Sequence, residues 1–119
     1  DEVHALAEVS MARHVPEDAI ILLADEEGDT LFVIVGGRVK VTVMSEDGRE
    51  VILSILKDGD IFGEMSLLDH EPHAASVIAL EDTELSTMAQ DEFDRLYEEM
   101  NPIMQGIIQL LIDRLRQNL

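Results

Sequence analysis

The chain has 119 residues, with 26 Asp and Glu against 8 Lys and Arg, a formal net charge of −18, and no cysteine. That length fits one domain with one core. The charge argues against gripping a nucleic-acid backbone, which needs basic clusters, and the missing thiols exclude disulfides and thiolate metal sites. No apolar run approaches the roughly 18 residues of a membrane span and no signal-peptide pattern opens the chain, so a cytoplasmic location is expected. The first residue is Asp1 rather than methionine, which points to a piece trimmed or excised from something longer.

In chain order, Val3, Leu6, Ala7, Val9 and Ser10 recur at mixed spacings of three and four, predicting a short helix over residues 1–12. Ile20 to Leu23 is a β-branched and apolar run, broken by the acidic cluster Asp25-Glu26-Glu27-Gly28-Asp29. That cluster lacks the alternating spacing of a calcium loop and reads as a solvated turn. Leu31 to Val35 is a buried strand run closed by Gly36-Gly37, and Val39, Val41 and Val43 then alternate with Arg38, Lys40 and Thr42. Asp47-Gly48 makes a hairpin turn, Val51, Leu53 and Ile55 alternate on the returning strand, and Lys57-Asp58-Gly59-Asp60 is a further turn. Ser76 to Leu80 and Glu84 to Met88 read as two more strands. Short strands punctuated by glycine turns, with no helix between them, predict a mainly β antiparallel jelly-roll barrel of about eight strands over residues 13–89.

Helical chemistry follows. Asp91 is placed to cap a helix carrying Phe93, Leu96, Tyr97 and Met100, and Asn101-Pro102 stops it and starts another. From Ile103 to Leu119 the apolar residues cover far more of the circumference than one docking stripe requires, which implies a second partner surface.

Between the strands lies one distinct stretch, Phe62-Gly63-Glu64-Met65-Ser66-Leu67-Leu68-Asp69-His70-Glu71-Pro72-His73-Ala74-Ala75-Ser76-Val77. A glycine turn leads into a short helical turn, Met65 to Leu68; a polar loop closed by Pro72 follows, then small residues feed a strand. The free backbone N–H groups at such a helix start suit an anion, glycine admits a close approach, and Glu64 is an acceptor suited to a sugar hydroxyl.

This stretch resembles the phosphate-binding cassette of cyclic-nucleotide-binding domains, found in kinase regulatory subunits, nucleotide-gated channels and regulators of the catabolite-activator type. The resemblance runs without a gap over residues 62–77 and extends to Glu27-Gly28-Asp29, Leu31-Phe32-Val33-Ile34, Gly37 and Leu56-Lys57-Asp58-Gly59-Asp60. It implies one domain over residues 1–119: an N-terminal helix, a barrel with a short cassette helix, and two C-terminal helices over residues 90–119. It further implies that Glu64 accepts the ribose 2′-hydroxyl of cyclic AMP or cyclic GMP. Backbone at Gly63, Met65, Ser66 and Ala74 would line the cyclic phosphate, with Ala75 beside them. The last helix of such domains closes over the base and often forms a dimer seam, so a homodimer through residues 103–119 is expected.

Two positions depart from the family pattern. Asp25 stands where glycine is usual, so that loop is expected to differ in shape. His73 stands where the family carries arginine. Arginine offers a permanently charged fork, whereas neutral histidine offers at most one donor. Losing one or two charge-assisted hydrogen bonds, at roughly 1.5–3 kcal/mol each, would weaken binding by about 10- to 10⁴-fold.

No nucleophilic triad stands out, so neither catalysis nor a cofactor is expected. His70 and His73 crowd one loop with Asp69 and Glu71, a poor metal set, and Arg114 and Arg116 read as solvated rather than stacked on a base. Three functions compete: a regulatory module that senses a cyclic nucleotide and passes a helix movement to a partner, a dimerisation module that has lost its ligand, and, third, a metal-dependent enzyme on a jelly roll, which a metal assay would discriminate. DNA binding would need sequence beyond Leu119.

Overall fold

In the computed structural model, which describes residues 11–117, the strands are β1 (Met11–Val15), β2 (Ile20–Leu22), β3 (Thr30–Gly36), β4 (Arg38–Met44), β5 (Glu50–Lys57), β6 (Ile61–Phe62), β7 (Ser76–Ala79) and β8 (Thr83–Ala89). The helices are α1 (Glu64–Asp69), α2 (Gln90–Glu98) and α3 (Pro102–Gln117). All strand pairs are antiparallel, in two four-stranded sheets of order β1-β8-β3-β6 and β2-β7-β4-β5. The fold is the expected mainly β jelly roll, built as two sheets rather than as one closed barrel. The predicted helix over residues 1–12 lies outside the described residues except at its end, where Met11 and Ala12 belong to β1 and pair with Thr87 and Ser86.

The core forms between the sheets: Val15, Phe32, Ile34, Phe62 and Leu85 from the first meet Val39, Val77 and Ala79 from the second. β3 reads as a continuous apolar run because both its faces are covered. Phe32 and Ile34 enter this core, while Leu31 lies with Leu67 and Met88 in a second cluster, against which Phe93 of α2 packs. Phe62 pairs with Phe32 and stacks on it at 4.9 Å between ring centroids, which fixes the entrance to the cassette.

The hairpin β4–β5 departs from simple alternation. Val41 pairs with Ser54 but Thr42 pairs with Ile52, so Leu53 is an extra, bulged residue. The bulge puts Val51, opposite Val43, and Ile55, opposite Lys40, on different faces, and Thr42 becomes buried. Val51 to Ile55 are all exposed along this edge strand.

Asp91 does not cap α2. The cap is Ala89, which makes no side-chain capping bond, and Asp91 sits in the first turn. The start of α2 is held instead by Gln90, whose backbone N–H donates to the Asp29 carbonyl at 2.9 Å and whose Nε2 donates to the Leu67 carbonyl at 3.0 Å. Asn101 does cap α3: its Oδ1 accepts from the Ile103 N–H at 2.8 Å, with Pro102 as the first helical residue. Among the described residues no helix is long and apolar enough to cross a membrane.

Candidate functional site

Gly63 makes the turn into α1. Its φ of 86° lies in the left-handed region, and a Cβ there would stand 2.7 Å from the Thr30 carbonyl oxygen, so both conformation and space require glycine. α1 begins at Glu64, one residue before the expected helix start, and ends at Asp69. Burial pushes the Glu64 carboxyl above the usual carboxylate range, partly offset by a hydrogen bond from its own backbone N–H. Met65 is half-buried and Ser66 fully buried, while Ala74 and Ala75 are half-buried where the chain enters β7.

His73 is buried, at 8% exposure. Its Nδ1 lies 3.0 Å from Ser66 Oγ, and its Cε1 and Nε2 fill the space that a side chain on Gly28 would need. A Cβ on Gly28 would come within 2.3 Å of the ring. Loss of water, then the positive charge of Arg116, hold the imidazole below the ordinary histidine value of about 6.5, against a weaker upward pull from Glu26 and Asp29. The ring is therefore neutral at pH 7 and wedged between two protein surfaces.

That depression carries a sign. Below about pH 6.5 the unfolded chain takes up a proton at His73 that the folded chain resists, so stability falls as pH drops through that value. Thermal melts between pH 7.5 and 5.5 should show a steeper loss for the natural chain than for His73→Gln. Equal slopes would remove His73 from the acid response.

The acidic cluster after β2 is part of the site rather than a free turn. The His73 N–H donates to the Glu26 carbonyl and the Asp25 N–H donates to the His73 carbonyl, both at 2.9 Å. The Ala24 N–H donates to Ser76 Oγ, also at 2.9 Å. Asp25 takes a φ of 71°, the left-handed conformation that glycine favours and that aspartate tolerates better than most residues. Gly28 was not among the predicted site residues; its signal was the Glu-Gly-Asp triplet, whose contact with residue 73 is long-range.

A cavity of about 220 Å³ lies behind His73, lined by residues that include Arg13, Glu26, Glu27, Gly28, Asp29 and Phe32. None of Gly63, Glu64, Met65, Ala74 or Ala75 lines it. It is smaller than the ~300–1,000 Å³ usual for ligand pockets and rich in carboxylates, so it is the back of the cassette and not its cup.

Arg116 is not solvated. Its guanidinium forms a two-pronged ion pair with Asp69 at the end of α1, and its Nη1 donates to the Pro72 carbonyl at 3.2 Å. Among the described residues no group of three or more His, Asp or Glu is gathered as a metal set.

The sequence pattern of the cyclic nucleotide-binding domain matches residues 12–100, well over half of the chain. The chain belongs to the cyclic-nucleotide-binding domain family. The cyclic AMP receptor protein of Thermus thermophilus is 31% identical over 117 residues, covering 98% of this chain and 54% of that protein. The cAMP-dependent protein kinase regulatory subunit of Yarrowia lipolytica is 29% identical over 106 residues, covering 89% of this chain and 27% of the subunit. Among solved structures, the cAMP-bound form of the EAL enzyme Bd1971 superposes with a TM-score of 0.86 at 31% identity, covering 91% of this chain and 29% of the enzyme. This cyclic-nucleotide-binding domain thus spans about half of the receptor and under a third of the other two chains.

Proposed function

We propose that this domain is a regulatory module that binds cyclic AMP or cyclic GMP at residues 62–77 and passes occupancy through α2 and α3 to a partner domain or dimer mate. The observation that carries this reading is the Gly63–Glu64 turn. A left-handed glycine starts the cassette helix at Glu64, whose carboxyl is partly buried, and the small Ala74 and Ala75 are half-buried where the chain enters β7. Glu64 would accept the ribose 2′-hydroxyl. By resemblance to the family, backbone at Gly63, Met65, Ser66 and Ala74 would receive the cyclic phosphate; the first-turn N–H groups of α1, which have no partner within the helix, suit that role. A similar structure solved with cyclic AMP bound, and a relative named as a cyclic AMP receptor protein, support the ligand class. The reading is regulatory and not enzymatic, supported by similarity to a cyclic AMP receptor protein, to a kinase regulatory subunit and to 29% of the length of an EAL enzyme.

Calorimetry with both nucleotides at pH 7.5 tests it. Binding to the natural chain is expected, with Glu64→Ala weakening it at least about tenfold through loss of a charged acceptor. Folded protein that binds neither nucleotide would reject the reading. One observation favours the second function, a dimerisation module without ligand: the His73 ring is turned inward and neutral, so the family's charged contact is missing at that position.

Both readings share a homodimer. α3 leaves Ile103 72% exposed, and Met104, Ile107, Leu110, Leu111 and Leu115 about half exposed, an apolar surface that its own sheets do not cover. Light scattering at micromolar concentration should return twice the chain mass, and Ile107→Glu with Leu111→Glu should return the monomer. A soluble natural monomer would sink this assembly.

A further inference from the structure

α3 touches the cassette along one edge. Ile112 is its buried residue, and Arg116, one turn later on the same side, reaches α1. Nε of Arg116 donates to Oδ2 of Asp69 and Nη2 donates to Oδ1 at 3.0 Å, while Nη1 donates to the Pro72 carbonyl at 3.2 Å. Asp69 closes α1 and Pro72 precedes His73, so one guanidinium grips both ends of the loop that leads to position 73. The Asp69 side chain is 9% exposed and that of Arg116 21%, so the pair is largely withdrawn from water. Three of the five N–H donors of Arg116 are committed to Asp69 and Pro72.

His73 cannot supply the missing fork, because its Nδ1 is held by Ser66 and the rest of the ring lies against Gly28. The positive charge that bears on His73 comes from Arg116. A guanidinium is therefore present at this corner, delivered from the last helix.

We infer that Arg116 is the anion-binding residue of this domain: a cyclic phosphodiester in the cassette takes the guanidinium in exchange for the Asp69 carboxylate. Both anions present paired oxygens that match the guanidinium fork, so the exchange replaces one charge-assisted pair by another. It also replaces the direct contact of α3 with α1 by one made through the ligand, so occupancy is felt by the last helix. This inference rests on the nucleotide-binding reading above.

The test is the sign of two substitutions at one ion pair. Calorimetry with cyclic AMP should show Arg116→Gln weakening binding by about 10- to 100-fold, from the strength of charge-assisted hydrogen bonds. Asp69→Asn, which removes the competing carboxylate, should tighten it. A purely structural clamp predicts that both substitutions shift affinity in the same direction, because both break the same bond. Arg116→Lys, which keeps the charge but not the fork, should fall between Gln and the natural residue. If Arg116→Gln does not fold, the Asp69→Asn and Arg116→Lys values carry the test. Natural protein that binds while Arg116→Gln is unchanged, or while Asp69→Asn weakens, overturns the assignment and leaves the ligand reading standing. Natural protein that binds neither cyclic AMP nor cyclic GMP overturns both.

Discussion

Gly63→Ala should cost the fold about 2–5 kcal/mol and abolish nucleotide binding. Two independent penalties meet there. A left-handed φ costs a non-glycine residue roughly 1–2 kcal/mol, and forcing a methyl into filled space costs roughly 1–3 kcal/mol more. The second applies because the new Cβ would stand 2.7 Å from the Thr30 carbonyl oxygen, a backbone atom of a core strand that cannot swing aside. The relief available is displacement of the cassette, which carries Glu64 and the start of α1 away from the ligand. Urea denaturation and calorimetry read the two effects separately. A variant that unfolds at the natural urea midpoint and still binds would show that the turn tolerates a side chain.

Gly28→Ala should destabilise the domain by about 1–3 kcal/mol for a different reason. Its φ is not left-handed, so the backbone accepts alanine, and the cost is steric alone. The added methyl would fall 2.3 Å from His73 Cε1, 2.5 Å from Nε2 and 3.1 Å from Ser66 Cβ. The ring cannot retreat freely because Ser66 holds its Nδ1. Gly28→Ala combined with His73→Ala should therefore lose less stability than the two single changes added together, by roughly 1 kcal/mol or more, as expected for residues in direct contact. Strict additivity would mean that the slot is looser than its geometry.

Local patterns made most of the scaffold legible. Alternation set β4, and the continuous run of β3 announced a strand buried on both faces. The Asn101-Pro102 pair placed the start of α3 because capping is a contact between near neighbours. The cassette was legible as a block of consecutive residues, since its turn, helix and small-residue strand follow one another along the chain. Apart from the one-residue shift at the start of α1, the misreadings are contacts made at a distance. Leu53 bulges because of how β5 pairs with β4, and no composition within β5 signals it. Gln90 displaces Asp91 as the anchor of α2 because Leu67 and Asp29 lie beside it. Arg116 reads as a solvated cation until α3 is folded back 47 residues onto Asp69. The acidic cluster likewise reads as a free turn, and becomes a wall only when residue 73 is laid against it.

That wall has an evolutionary consequence. Residue 73 is stitched to Asp25 and Glu26 through its own N–H and carbonyl, and main-chain bonds of this kind are offered by every residue except proline. The main-chain frame of the cassette at this point therefore does not depend on which side chain the position carries. An arginine or a histidine at this position leaves those two bonds in place. Such a separation of scaffold from side chain lets a lineage exchange ligands by point substitution and keep its architecture throughout.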